Sequence, residues 1–189
     1  MNHIAIIIGS TRPGRKAPDV ARWVHDLASA RKDATFEVVD IADYHLPLLD
    51  EAVPPSMHQY AHEHTRRWAE KIASFDGFIF VTPEYNHAPP AALKNALDFI
   101  YAEWNNKAAG FVSYGSMGGI RAVEHLRQIA AELQIADVRV AVNLLLAEDF
   151  VDYATFSPSA GQDEDLATML DQLVAWSRAL KTVRKERVS

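Results

Sequence analysis

Three short segments carry most of the chemistry this chain can do. Gly9-Ser10-Thr11-Arg12-Pro13-Gly14-Arg15-Lys16 puts two hydroxyls, three cations and two glycines into one stretch. Ahead of a helix such a stretch is built for an anion, because free N–H groups and the helix dipole attract negative charge and hydroxyl and guanidinium donors add charge-assisted bonds. It lacks the Lys-Ser/Thr pair of a P-loop and the GxGxxG turn of a dinucleotide site, so a terminal monophosphate fits better than a pyrophosphate. Pro83-Glu84-Tyr85-Asn86 and Ser113-Tyr114-Gly115-Ser116-Met117-Gly118-Gly119 differ in kind. Both offer turn backbone, and the glycines of the second permit close approach, which suits the edge of a flat polar ring.

Each segment follows directly on a short run rich in β-branched and apolar residues. His3 to Ile8, Gly77 to Val81 and Ala109 to Ser113 predict buried parallel strands, and Phe36 to Val39 and Val138 to Val142 predict two more. A helix is expected from about Ala17, with Val20, Val24, Leu27 and Ala28 on one face and Pro18 tolerated in its first turn. Ser56 is expected to cap a second helix carrying Tyr60, His64, Trp68 and Ile72. Pro89 and Pro90 mark the start of a third, with the stripe Leu93, Ala96, Leu97, Ile100, Tyr101 and Trp104. Gly119 to Leu133 and Leu166 to Leu180 complete the helices, while Leu46 to Ser56 and the acidic Leu146 to Asp165 are expected to be irregular. Five strands alternating with helices imply an α/β, doubly wound parallel sheet. Strand order 2-1-3-4-5 puts the switch point between strands one and three, flanked by GSTRPGRK and TPEYNHAPP. The three segments then meet at the carboxyl edge of the strands, where open α/β sheets bind ligands. A phosphate site beside a cradle for a flat ring points to flavin mononucleotide.

The same segments resemble the NADPH-dependent FMN reductase family, which is flavodoxin-like, and the resemblance covers most of the chain. Gly9-Ser10-Thr11-Arg12 is similar to its Gly-Ser-x-Arg segment, with Ser10 and Arg12 at the positions that contact the FMN phosphate. Arg15 and Lys16 stand where a further hydroxyl or amide is often found. Pro83 to Asp98, PEYNHAPPAALKNALD, resembles the family's most diagnostic stretch, as do VSYG and the following Gly-Gly-x-Arg-Ala. Glu103-Trp104 resembles a Glu-Trp pair concerned with packing and subunit contact. The resemblance implies FMN binding through Ser10, Arg12, Arg15, Lys16, Pro83, Glu84, Tyr85, Asn86, Ser113, Gly115, Ser116, Met117, Gly118 and Gly119. It implies hydride transfer from NADPH or NADH at flavin N5, with no protein nucleophile, to a quinone, flavin, azo compound or metal oxyanion. It also implies a homodimer or homotetramer; Phe99, off the core stripe of its helix, and the Leu146 to Asp165 segment are the candidate contact regions. An FMN-binding electron carrier or redox sensor acting on a protein partner is the alternative. An interaction domain with a decayed site fits worse, given Ser10, Arg12, Tyr85, Asn86 and Gly115.

Composition narrows the remaining choices. At 189 residues and 49% apolar content the chain is expected to be a single domain over 1–189. Absence of cysteine excludes disulfide scaffolds, thiol relays and a cysteine nucleophile. A net charge of -6 argues against nucleic acid and anionic membranes as partners, and Lys181 to Arg187 is expected to be a solvated helix end. With no apolar run of about eighteen residues and no basic leader, the expected location is cytoplasmic. His58 and His62 would share a helical face, but no carboxylate triad accompanies them and no metal is expected. Ser113 lacks the G-x-S-x-G elbow of a hydrolase, and Gly9-Ser10 stands where a phospho-accepting receiver needs acids. Glu84 and Asp98 need not meet, Arg121 suits a cofactor, subunit or salt-bridge role, and His87 is placed near a substrate opening.

Overall fold

The computed structural model describes residues 1–186; Arg187, the end of the basic tail, lies outside them. Among these residues a parallel sheet of five strands runs β1 (Asn2–Ile8), β2 (Ala34–Asp40), β3 (Gly77–Pro83), β4 (Lys107–Gly115) and β5 (Ile135–Leu145) along the chain. Its spatial order is β2-β1-β3-β4-β5, the order expected in preference to the Rossmann one. β3 and β4 are buried along their whole length and β1 nearly so, which is why they read as continuous apolar runs. β2, at an edge, mixes buried with exposed positions.

Successive strand residues point to opposite faces and so feed two cores. Ile4, Ile6, Ile79 and Val112 pack under α1 (Ala17–Ser29) and α5 (Gln162–Glu186), whose Val20, Val24, Leu170 and Leu173 meet them. Ala5, Ile7, Phe78, Phe80 and Phe111 pack under α2 (Glu63–Ala73), α3 (Ala91–Asp98) and α4 (Ile120–Glu132). Trp68 is fully buried in the second core, and its indole N–H donates to the Ala96 carbonyl at 2.8 Å, fixing α2 against α3. Truncating it to alanine should cost about 3–5 kcal/mol. No helix among the described residues is long and apolar enough to cross a membrane.

Three local expectations change. Ser56 caps nothing: it sits in a 3-10 turn, Pro55–Met57, and α2 begins only at Glu63. The Tyr60 hydroxyl donates to Glu103 Oε2 at 2.8 Å and accepts the Tyr101 N–H at 3.3 Å, so Tyr60 is held in a loop despite its helical spacing. His58 and His62 therefore share no helical face; His58, with φ 53°, bonds Glu103 Oε1 at 2.9 Å. Ile100 and Trp104 are buried as expected but lie beyond the end of α3, and Phe99 is fully buried beside the His64 ring, centroids 5.6 Å apart. Phe99 is thus core and offers no subunit contact.

The segment after β5 is ordered by one carboxylate. Asp149, fully buried, accepts the N–H of Leu145 (2.7 Å), the N–H of Ser159 (2.9 Å) and the Ser159 hydroxyl (2.8 Å). This closes a small hairpin, β6 (Phe150–Val151) with β7 (Thr155–Phe156), and α5 starts sooner than its apolar face suggests. The hairpin packs on its own chain, Phe156 against Trp23 (5.5 Å) and Phe150 against Tyr114 (5.9 Å).

Candidate functional site

The loop after β1 leaves the sheet at Gly9, whose N–H donates to the Val81 carbonyl at 2.9 Å. A Cβ there would come within 2.8 Å of Leu93 Cδ2 and 3.1 Å of the Val81 oxygen, so a larger residue would have to displace the Leu93 side chain and crowd β3. Ser10 is fully buried, with its hydroxyl 2.9 Å from the Tyr85 hydroxyl and 3.4 Å from the Arg12 N–H that it accepts. It ties the first loop to the second. The three cations behave differently. Arg15 grips Asp40 with both terminal nitrogens (2.9 and 2.5 Å) and donates to the Ser10 carbonyl (2.5 Å), so its charge is answered by β2. Lys16 donates to the Ala154 carbonyl at 2.9 Å and anchors the hairpin. Arg12 is exposed and has no carboxylate partner among the described residues; its guanidinium stands 5.9 Å from the Tyr85 ring centroid. Lys16 occupies the N-cap position of α1 and makes no side-chain cap, leaving the positive end of that helix open.

The loop after β3 folds on itself. Tyr85 N–H bonds the Ala88 carbonyl (2.9 Å) and Ala88 N–H the Tyr85 carbonyl (3.1 Å), while Asn86 and His87 take φ of 50° and 68°. Both central residues in the left-handed region make this a type I′ turn. Glu84 faces the other way: its carboxylate accepts the Arg121 guanidinium (2.6 Å) and the Arg121 N–H (3.0 Å), capping α4, whose own N-cap Gly119 has no side chain to do so. Desolvation opposes ionisation of Glu84, but the Arg121 side chain and the N–H groups of Arg121 and Ala122 outweigh it and hold the carboxyl below its usual range. Asp98 pairs with Lys94 at 2.6 Å, not with Glu84.

The loop after β4 is a tight turn onto α4. Buried Ser113 donates to the Gly118 carbonyl at 2.6 Å and lies 3.0 Å from Asn143 Oδ1. Gly119 has φ 77°, and a Cβ on it would fall 2.7 Å from Ser113 Cβ and 2.9 Å from the Tyr114 nitrogen. The Gly115 carbonyl accepts both Gly118 N–H (3.1 Å) and Leu146 N–H (3.0 Å), which brings the segment after β5 to the same place.

The three loops close around one cleft of about 300 Å³. Arg12, Arg15, Lys16, Pro83, Glu84, Tyr85 and Gly115 line it, as the sequence suggested. Ser10 and Ser113 are buried and brace the loops; Asn86, Ser116 and Met117 are exposed on the adjoining turns; Gly118 and Gly119 shape the third turn. Pro13, Gly14 and Tyr114, inside the expected segments but not among the expected contact residues, also line the cleft, as does Leu146, which lies outside those segments. The period of two along β4 could have found Tyr114, which must face away from Ser113 at the strand's carboxyl end; Leu146 carries no such signal. Thr11 faces a second hollow of about 390 Å³ with Ile41, His45 and Asn95. A wider hollow of about 600 Å³ at Trp23 and Phe156 is walled by Asp19, Asp26 and Asp163 and gathers no anion donors comparable to the first loop. His62 and His64 stack with centroids 5.2 Å apart, His64 bonding Asp50 at 3.0 Å, and the described residues hold no group of three or more side chains placed to bind a metal.

Residues 2–148 match the family model of the NADPH-dependent FMN reductases. A NAD(P)H-dependent FMN reductase of a Nectria species, ntnL, is 35% identical over 192 residues, covering 92% of this chain and 96% of its own. A 2-hydroxy-1,4-benzoquinone reductase from a Burkholderia species is 32% identical over 184 residues, covering 93% of this chain and 96% of its own. Among solved structures, FerB, a flavoenzyme NAD(P)H:(acceptor) oxidoreductase from Paracoccus denitrificans, matches with a TM-score of 0.74 over 95% of this chain and 98% of that one; at 21% identity this is a likeness of fold.

Proposed function

This chain belongs to the NADPH-dependent FMN reductase family, and we propose that it reduces quinones with NAD(P)H, holding FMN in the cleft between the loops after β1, β3 and β4. The observation that carries the placement is Arg12, a guanidinium on the cleft wall with no carboxylate partner among the described residues, beside a helix end that no side chain caps. Both attract an anion, and a phosphate monoester satisfies both at once. In this reading Arg12, Lys16 and the open end of α1 take the phosphate, while Ser10 and Arg15 hold the loop in shape. The turns at Pro83, Glu84, Tyr85 and Asn86 and at Ser113 and Gly115 to Gly119 would present their backbone edges to the ring.

Bound FMN supplies the two-electron transfer between nicotinamide and acceptor, and the protein supplies position and electrostatics. The Ser10–Tyr85 bond couples the first two loops, and the Glu84–Arg121 pair couples the second to α4, so the ring would lie on a surface braced from two sides. Met117 and Ile120, 55% and 50% exposed, give the third loop an apolar edge that suits a flat quinone better than a hydrated metal oxyanion. The Burkholderia relative is named for a benzoquinone, which supports the same choice. NADPH is the expected co-substrate. The chain works as one domain, and a homodimer or homotetramer would use the exposed Leu48, Leu49 and Met57.

An anaerobic visible spectrum of the FMN-loaded protein tests the reading. The flavin bands should bleach on adding NADPH and return on adding benzoquinone. Loading that fails would remove the site; bands that stay oxidised would replace the reductase with a carrier; bands that return with chromate but not with quinone would overturn the acceptor.

A further inference from the structure

We infer that the Tyr114 hydroxyl donates a hydrogen bond to the phosphate of the bound flavin and, beside Arg12 and the start of α1, helps this site tell flavin mononucleotide from riboflavin. The inference rests on the flavin reading above and adds a residue to it.

Tyr114 is the last residue but one of β4, with its side chain on the face opposite Ser113. It is 6% exposed, its ring packs on Phe150, and it lines the cleft. Its hydroxyl has no hydrogen-bond partner among the described residues. A desolvated hydroxyl left without a partner is uncommon in a folded protein and calls for an explanation. Its surroundings supply one. The Ala17 N–H, in the first turn of α1, approaches the phenol without closing a hydrogen bond of normal geometry, and the charges of Arg15 and Arg12 also bear on it. A backbone donor at a helix start and two guanidiniums all favour negative charge where the O–H would donate. Burial, above all, pushes the phenol above its ordinary value, so at neutral pH the group is a donor and never an anion that would repel phosphate.

The other hydroxyls of the anion loop are unavailable or turned away. Ser10 is engaged with Tyr85, and Thr11 faces the second hollow. Tyr114 therefore brings from a different strand the neutral donor that the loop itself does not present. A flavin without phosphate offers this hydroxyl no charged acceptor, so the bond discriminates.

Tyr114→Phe isolates the hydroxyl. Removing a buried O–H that has no partner should leave the melting temperature of the flavin-free protein equal or slightly higher. The dissociation constant for FMN, followed by flavin fluorescence, should rise about tenfold or more, as for loss of a hydrogen bond to a charged group. The constant for riboflavin should not change, so the preference for FMN falls by the same factor. An unchanged FMN constant would overturn the inference, and so would equal weakening of FMN and riboflavin, which would make Tyr114 a packing residue. A lower melting temperature in the flavin-free variant would show that the hydroxyl has a partner in the protein and would also overturn it. Failure of the unaltered protein to bind FMN removes the flavin reading itself; normal binding with an indifferent Tyr114→Phe removes this inference alone.

Discussion

The two ends of the sheet treat their charged groups in opposite ways, although the amino end also buries Asn2 Nδ2 and Ser177 Oγ without a partner among the described residues. At the amino end Asp76, just before β3, accepts Lys181 (2.6 Å), Arg184 (2.5 Å) and the His3 N–H (3.0 Å), while its own N–H reaches the His3 carbonyl (2.6 Å). Lys107, buried under the same end, donates to the Ile72 and Ala73 carbonyls (2.8 and 3.3 Å) and so closes the last turn of α2. At the carboxyl end Arg12 lacks a carboxylate, the Tyr114 hydroxyl lacks a partner and α1 lacks a cap. Satisfied polar networks hold a fold in one arrangement, whereas unsatisfied donors destabilise it until something binds. The amino end is built for stability and the carboxyl end for a ligand, and variants at the two ends should separate these properties.

Asp76→Ala should have the largest effect. It strips the partner from two cations and a backbone N–H in a half-buried network, lowering unfolding free energy by about 2–3 kcal/mol. Urea melts should show that loss while FMN affinity, measured on the folded protein, stays the same. Arg12→Ala should do the reverse. FMN affinity should fall by about 2 kcal/mol, with a stronger salt dependence in the parent than in the variant, and the flavin-free melt should not move. Arg22, an exposed partner of Asp19, is the control, since Arg22→Ala should change neither quantity. Lys107 gives a smaller, pH-dependent effect. Burial, reinforced by Arg184, pulls its ammonium down to about 7. Between that value and the unfolded value near 10.5, the unfolded chain holds up to one proton more, so stability should rise with pH by at most about 1.4 kcal/mol per unit. Lys107→Met should flatten the rise without touching FMN affinity; a rise that persists would assign it to another group.

How far the sequence revealed this division depends on which physical signal was present. The five strands and the meeting of three loops followed from apolar runs and crossover handedness, which act on every residue of a strand, whereas the strand order was a choice between two doubly wound orders that those signals share. Arg12 and Arg15 looked alike as sequence, and only the register that sets Ile8 opposite Asp40 places a carboxylate where Arg15 can grip it. Tyr60 and Trp68 also looked alike, both at helical spacing, because periodicity cannot see that Glu103 holds the first in a turn. Phe99 looked exposed because a single-helix face ignores α2, which covers it beside His64. Tyr114 looked like part of a glycine turn, and the strand alternation that turns it into the cleft was there to be used. Local periodic signals were legible; pairings set by tertiary contact were not.

Glu84 makes the finest test, because it is a fully partnered group at the end of the sheet that otherwise leaves donors over. Its carboxyl is held below the usual range by Arg121 and two backbone N–H groups despite burial, so its contribution to stability is present above its ordinary value near 4.5 and is lost as pH falls through the lowered folded value. Arg121 is 42% exposed, which screens the pair and limits the contribution to about 0.5 kcal/mol. Glu84→Gln should therefore be slightly less stable than the parent at pH 6, and the two melting curves should converge as pH falls below 4. Its FMN affinity should drop less than that of Arg12→Ala, since Glu84 braces the second loop while the proposed role of Arg12 is to meet the ligand. If Glu84→Gln weakens FMN more than Arg12→Ala does, the site depends on its braces more than on its free donors, and the contrast between the two ends of the sheet would have to be redrawn around the Glu84–Arg121 pair.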